Sequence, residues 1–173
     1  MEKGSTIVNL EDLFTEQLRD RFDAAKQQDN FLPKLLNRIT DEGLKQIISN
    51  VVMTNREHLN ELPEIFEAIQ RSADGETCEG TKALIHEAME VISRSVDEEI
   101  IDVGIAVAVQ HIKHHDIAGY RTCRVYAQEL GMQNIALALD QMYRDAKNCD
   151  EALSTILIDS LGEKAVHPIT EAY

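Results

Sequence analysis

The stretch that decides the fold is residues 95–131, SVDEEIIDVGIAVAVQHIKHHDIAGYRTCRVYAQELG. Its apolar residues recur at spacings of three and four, which is the period of an α-helix. The capping-box pattern Ser95-Val96-Asp97-Glu98 marks a helix start, and Gly131 marks an end because glycine readily adopts the left-handed conformation there. Residues 101–109 could form a strand, but the helical period continues without a break to Cys123. The stretch therefore predicts one long helix.

Two long helices are predicted before this stretch. The first follows Asn9, whose side chain can cap free backbone N–H groups, and Pro33 is expected to kink or end it. Thr40-Asp41 fits a cap for the second helix, in which Pro63 is expected to cause a kink or a short break and to restart the helix. The buried stripe predicted for the second helix consists of Ile47, Val51, His58, Leu62, Ile65 and Ile69.

A shorter helix is predicted in the connection to the third long helix. Residues 72–77 are typical of a loop, and residues 79–93 form an amphipathic helix. Its predicted buried residues are Ala83, Leu84, Ala88, Val91 and Ile92. A fourth long helix covers about 133–160, and residues 161–173 are expected to form a tail.

Together these elements predict one all-α domain over residues 1–173, with the bundle at about 9–160. Four long helices with a short helix in the middle connection are typical of a four-helix bundle with one long crossover. Such a crossover lets the second and third long helices run in parallel.

The charge of the chain limits its partners. It has 17 basic and 31 acidic residues, which gives a formal net charge of -14. This charge repels phosphate groups, so we expect neither nucleic acid nor an anionic membrane as a partner. No apolar run approaches the ~20 residues that span a bilayer. The first residues, MEKGST, are too polar for a signal peptide, which predicts a cytoplasmic protein.

No catalytic motif is evident in the sequence. Cys78, Cys123 and Cys149 are widely and irregularly spaced, without a CxxC or CxxH pairing, so buried free thiols are expected rather than disulfides or a zinc site. The chain has no GxSxG, P-loop or GxGxxG motif. We therefore expect no catalytic residues.

Over about residues 9–155 the sequence resembles the YciE/YciF family of bacterial proteins. The residues that carry the resemblance have the family's order and spacing. In the third helix they are Asp102, Gln110, His114, Asp116-Ile117-Ala118, Tyr120, Thr122 and Leu130-Gly131, and in the first helix they are Leu10 to Phe14, Asp20, Lys26-Gln27 and Leu32 to Leu35. In the middle of the chain they are Cys78, Leu84-Ile85 and Glu87-Ala88, and in the fourth helix they are Lys147, Asp150-Glu151 and Leu153. The resemblance implies a ferritin-like fold, an association with stress responses and a carboxylate-rich di-metal centre.

The positions that the resemblance assigns to metal ligands hold other residues here. Ala25 replaces the glutamate of the first helix, and Lys113 replaces that of the third. The second-helix Glu-Thr pair falls on Thr54-Asn55 or Met53-Thr54, which lacks a carboxylate in either register. The Glu-Glu pair of the fourth helix falls on Arg144-Asp145 or Asp145-Ala146, which leaves Asp145 as one carboxylate.

A di-metal centre is not expected with these residues, and no cofactor is expected. A bridged metal pair needs several anionic oxygen ligands. A lysine ammonium beside it adds repulsion on the order of several kcal/mol. We hypothesise that the Lys113 ammonium occupies the position of the lost metal and pairs with Asp116 or Asp145. Tyr120 lies one turn beyond Asp116, and Asp145 and His58 are expected to approach from the facing helices.

The histidines of the third long helix leave two interpretations open. His111 and His115 are four residues apart, a spacing that can chelate a transition metal on an exposed helix face. No third ligand is evident nearby. The alternative is that His114 is a half-buried residue of the bundle and that the other two histidines are solvated.

The favoured function is a non-catalytic, metal-free, ferritin-like stress-associated protein that acts through protein contacts, as a homodimer. One alternative is a ferritin-like di-metal-binding oxidase or iron-handling protein with a degenerate or relocated site, which would bind iron or manganese through His58, Asp116 and Asp145. A second alternative is a small-ligand binder that uses the space left at Ala25 and Ala146.

Overall fold

The computed structural model describes residues 6–166, in which helices dominate and no strand occurs. The five main helices are α1 (Leu10–Leu35), α2 (Glu42–Ala68), α3 (Glu79–Arg94), α4 (Glu98–Glu129) and α5 (Gln133–Ile156). The chain continues from α5 as a π-helical segment (Leu157–Leu161) and a short α6 (Gly162–Ala165). The predicted all-α class is confirmed, including a helix over 101–109. Of the predicted tail, residues 167–173 lie outside the described residues.

Most helix boundaries follow from local capping. Asn9 caps α1, where its Oδ1 accepts a hydrogen bond of 2.8 Å from the Asp12 N–H. Asp41 caps α2 in the same way, with the Leu44 N–H 3.0 Å from its Oδ1. Gly131 follows the end of α4 with φ of 74°, the left-handed conformation expected there.

The start of α4 differs from the predicted capping box. Asp97, not Ser95, is the N-cap, and its carboxylate accepts hydrogen bonds from the N–H groups of Glu99 and Ile100. Ser95 instead donates its hydroxyl to the Val91 carbonyl at 2.9 Å, within the last turn of α3. The two helices are so close in sequence that Ser95 belongs to the first of them.

Pro63 does not interrupt α2, so the expected break and restart at this residue are wrong. Leu62, Ile65 and Phe66 beside it are all buried. This packing compensates for the one backbone hydrogen bond that proline removes, because tertiary contacts supply most of a helix's stability in a protein. Pro33 lies inside α1 two residues before its end.

The four long helices form a ring in which α1 packs against α2 and α4, and α5 packs against α2 and α4. The start of α2 contacts α4 near its own start, because Asp102 accepts hydrogen bonds from the N–H groups of Thr40 and Asp41. Later in both helices, His58 contacts Tyr120. Helices α2 and α4 therefore run in the same direction, as one long crossover requires. Helix α3 lies outside the ring against α1 and α4.

Helix α3 buries less than the sequence predicts. Ala88 and Ile92 are buried, but Ala83 and Val91 are exposed. A helix that contacts the bundle on one side needs only a narrow apolar stripe, which explains the two wrong assignments.

Of the stripe predicted for the second helix, Ile47 and Ile69 are half-buried, whereas the four residues between them on the stripe are buried.

The core consists of two apolar clusters. One contains Phe31, Leu32, Leu44, Ile48, Ile105, Val109, Ile112 and Leu153, among others. The other contains Phe14, Leu18, Leu62, Phe66, Tyr120, Cys123, Leu139 and Met142, among others. In each of α1, α2 and α4, buried polar residues lie between the stretches that enter these two clusters.

Candidate polar site at the centre of the bundle

Six buried polar side chains form a layer between the two apolar clusters. Each is less than a tenth exposed: Arg21 and Gln28 from α1, Asn55 and His58 from α2, and Lys113 and Asp116 from α4. We call this set the polar layer. Asp145 of α5 lies at its edge, with a side chain that is 24% exposed. Because buried polar groups are unfavourable without hydrogen bonds, the partners of these residues show what the layer can do.

Lys113, Asp116 and Gln28 form a closed network. The Lys113 ammonium donates to Asp116 Oδ2 and to Gln28 Oε1, each at 2.8 Å. The Gln28 amide donates to both oxygens of Asp116 at 3.0 Å. Of the two partners considered for Lys113, the structure brings Asp116 to it.

Arg21 contacts the carboxylate oxygen of Asp116 that Lys113 does not contact, and it was missed by the sequence analysis. Its Nη1 donates to Asp116 Oδ1 at 3.4 Å and lies 2.9 Å from His115 Nδ1. Its Nη2 donates to Asp20 and, at 3.6 Å, to Cys78 Sγ. The signal for Arg21 was its position four residues before Ala25 and seven before Gln28, on the buried face of α1.

Gly119 makes room for this arginine. A Cβ atom at position 119 would overlap the Arg21 side chain, so only glycine allows the guanidinium to lie there. The Nε of Arg21 is buried without a hydrogen-bond partner among the described residues. The position of Arg21 is thus set by its Nη contacts and by the space that glycine leaves.

Charge holds the Asp116 carboxyl in its ionised form. Burial alone would raise the pKa of Asp116, but Lys113 and Arg21 outweigh it and hold the pKa below its ordinary value. Burial likewise opposes the charge of Arg21, and Asp116 with Asp20 reverses the effect and raises the Arg21 pKa. The buried part of the network therefore contains two cations around one anion.

His58 connects the layer to α5. Its Nε2 lies 3.1 Å from Asp145 Oδ2, and Gln141 donates to the other oxygen of Asp145 at 2.8 Å. The His58 ring meets Tyr120 edge to face, with 5.7 Å between ring centroids. Burial raises the pKa of the Tyr120 hydroxyl, which therefore stays protonated at neutral pH.

The positions in α1 and α2 that the resemblance assigns to metal ligands differ in how deeply they are buried. Ala25 is buried, and its carbonyl accepts a hydrogen bond of 2.9 Å from Asn55 Nδ2. Thr54 is half-buried, whereas Asn55 beside it is 3% exposed, so Asn55 is the residue of this pair that enters the core. Met53 is 57% exposed and faces away from the layer.

The side chains of the polar layer do not match the ligands of a carboxylate-bridged metal pair. Within the layer, Asp116 is the one carboxylate among the described residues, and two cations already contact it. Asp145 contacts His58 at the edge. Two metal ions would need several more anionic oxygens and would be repelled by both Lys113 and Arg21.

The histidines of α4 do not form the exposed pair that their spacing allows. His115 is half-buried against Arg21, and burial followed by the charge of Arg21 lowers its pKa. His114 is 62% exposed and contacts Asp150, so its expected half-buried position is wrong. Asp20, Cys78 and His115 place possible metal ligands within 4.8 Å of one another, but Arg21 contacts all three.

Burial raises the pKa of each of the three thiols. All three cysteines are free, as predicted, with Cys78 and Cys123 buried and Cys149 half-buried. Burial raises the pKa of Cys123 to about 12 and that of Cys149 to about 11. A thiol reacts as its thiolate, so these two are inert near neutral pH.

The fold, four long helices with one long crossover, defines the chain as a ferritin-like helical bundle. Residues 9–166 match the model of the family described as Domain of unknown function (DUF892), and the chain belongs to that family. The resemblance to YciE/YciF proteins is confirmed. No helix in residues 6–166 has the length and apolar character needed to cross a bilayer.

Known relatives cover nearly the whole chain. Protein YciF of Escherichia coli K12 is 29% identical over 164 residues, which are 90% of this chain and 95% of the relative. The crystal structure of the E. coli stress protein YciF matches with a TM-score of 0.86 and 26% identity, over 91% of this chain and 99% of that one. YcfI, a putative structural protein from Rhodopseudomonas palustris, matches with a TM-score of 0.84 and 27% identity, over 88% of this chain and 98% of that one.

Proposed function

We propose that this chain is a metal-free, non-catalytic ferritin-like protein of stress physiology, which acts in the cytoplasm as a homodimer and through contacts with other proteins. Its similarity to a stress protein and to a putative structural protein supports this role. The observation that carries the proposal is the buried Lys113 ammonium, which lies 2.8 Å from Asp116 at the centre of the bundle.

The ammonium fulfils the electrostatic role that a metal ion would have at this position. It neutralises the Asp116 carboxylate, and Gln28 and Arg21 supply the other hydrogen bonds of that carboxylate. Two unit charges of the same sign 4 Å apart repel by about 4 kcal/mol at the effective dielectric of protein sites near the surface, and a unit charge and a divalent ion repel by about twice as much. A divalent ion beside Asp116 would be repelled by both Lys113 and Arg21, so the layer favours its own cations.

Elemental analysis tests the absence of metal. Protein purified from culture supplemented with iron and manganese is expected to contain neither in stoichiometric amount. The matched variants are Lys113→Glu, which adds a buried carboxylate, and Lys147→Glu, which adds one where the side chain is 47% exposed. We expect an increase in bound metal only for Lys113→Glu, and sedimentation of the same samples is expected to give the mass of a dimer. One or two equivalents of iron or manganese in the unaltered protein would contradict the proposal.

A further inference from the structure

A cavity of about 260 Å³ lies between α2 and α5, beside the polar layer. Its polar and charged lining consists of Asn50, Thr54, Asn55, His58, Asn148, Lys113 and Asp145. Ala146 also lines it and is small enough to leave this volume open. Drug-sized ligands occupy cavities from about 300 Å³ upward, so this one suits a smaller molecule.

Lys113 has an unused hydrogen-bond donor beside this cavity. A lysine ammonium has three N–H donors, and the described residues accept two of them, through Gln28 and Asp116. The Lys113 side chain is only 8% exposed, so bulk water has little access to the third. A buried ammonium with a free donor favours an acceptor, and most strongly a charged one.

The charged groups that line the cavity differ in their hydrogen bonding. Lys113 pairs with Asp116, whereas Arg21 pairs with both Asp116 and Asp20. The oxygens of Asp145, which also lines the cavity, each have a donor already, from His58 and Gln141. Of the charged groups in the cavity lining, the Lys113 ammonium is therefore the one with an N–H that has no acceptor among the described residues.

We propose that this cavity binds a small organic carboxylate, one oxygen of which accepts the third N–H of Lys113. The amides of Asn50 and Asn148 and the hydroxyl of Thr54 supply neutral donors around it. The inference rests on the proposed function, because it requires the ammonium and not a metal at the centre.

Titration of the full chain with succinate, followed by amide NMR signals, tests this site. Succinamide, which has the same skeleton without charge, is the ligand control, and phosphate is the control for any anion. We expect saturable shifts around the cavity with succinate and at least about tenfold weaker binding of succinamide, since a charged hydrogen bond is lost.

Three variants locate the binding. Lys113→Met is expected to weaken succinate binding by about tenfold or more, whereas Lys147→Met on the surface is expected to leave it unchanged. Ala146→Leu fills the cavity without changing any charge and is expected to abolish binding, which keeps the test valid if Lys113→Met folds poorly.

Equal binding of succinamide, binding that survives Ala146→Leu, or binding of phosphate without succinate would overturn the inference. The metal content of the same sample separates the two proposals. A metal-free protein that ignores succinate contradicts only this inference, whereas a metal-loaded protein contradicts the proposed function.

Discussion

Asp116 is the residue on which the charges of the bundle centre converge. Lys113 lies on its own helix one turn away, Arg21 and Gln28 reach it from α1, and all four side chains are buried. A buried ion pair contributes little net stability, but removal of one partner strands the other charge. The effect of a mutation here therefore depends on which charge is left without a partner.

Asp116→Ala is expected to destabilise the protein by about 3–5 kcal/mol, because it leaves the buried Lys113 ammonium without an anion and Arg21 with Asp20 alone. Lys113→Met is expected to cost less, since Arg21 and Gln28 still contact Asp116. The free energies of unfolding in urea test this order. Glu151→Ala, at a side chain that is 69% exposed, is the control and is expected to change little. A larger loss for Lys113→Met than for Asp116→Ala would show that Arg21 does not hold the carboxylate.

The pKa of Asp116 predicts how stability depends on pH. Its pKa in the folded protein is below the ordinary value of 3.8, so its contribution to stability is complete above that value. The contribution is lost as the pH falls from 3.8 through the lower pKa of the folded state. The difference in unfolding free energy between the parent and Asp116→Asn should therefore be constant near neutral pH and shrink in this acidic window. Unfolding curves at a series of pH values measure it, and a difference that shrinks already near neutral pH would contradict the assigned shift.

At the scale of the elements, glycines in α4 determine what can pack against it. A Cβ at Gly119 would overlap Arg21, whereas one at Gly104 would lie 3.6 Å from Val91 Cγ1, an ordinary contact. The two glycines are in the same helix, where alanine is favoured over glycine by about 1 kcal/mol. They form a matched pair for testing the position of Arg21.

Gly119→Ala is expected to destabilise the protein by about 1–3 kcal/mol, because the buried arginine must move from its partners. Gly104→Ala is expected to be neutral or to stabilise by up to about 1 kcal/mol. Thermal unfolding of both variants measures the contrast. If Gly119→Ala were as stable as Gly104→Ala, the guanidinium would not occupy the position described.

The ends of the elements are joined by buried polar contacts as well. Asp102 near the start of α4 is 2% exposed and accepts hydrogen bonds from Thr40 Oγ1 at 2.7 Å and from the Asp41 N–H at 2.8 Å. These bonds satisfy backbone groups at the start of α2. They hold the two parallel helices in register at this end of the bundle.

At the scale of the whole molecule, the polar layer divides an otherwise apolar interior. The two apolar clusters account for the stability of the bundle, because burial of apolar surface is the main favourable contribution to folding. The residues of the polar layer between them therefore need not stabilise the bundle, provided that their hydrogen bonds are satisfied. In this chain those residues are cations and amides where a carboxylate-rich centre would need acids.

The sequence by itself determined the four long helices, the short helix of the crossover and most of their ends. Periodicity and caps such as Asn9 and Asp41 act over one or two turns, so they can be recognised without the fold. The absence of acids at Ala25, Thr54 and Lys113 was also evident, because it depends only on residue identity and spacing. The break at Pro63 was predicted wrongly because its local effect is outweighed by the burial of its neighbours Leu62, Ile65 and Phe66 in the core of the bundle.

Only the tertiary structure decided which partners these residues have. It placed Arg21 against Asp116 across 95 positions of sequence, Gln28 against Lys113, and Asn55 rather than Thr54 in the core. It also opened the cavity beside Lys113, which depends on how closely α2 and α5 approach. The physical reason is that burial and charge pairing depend on the packing of several helices at once, whereas helix formation depends mainly on near neighbours in the chain.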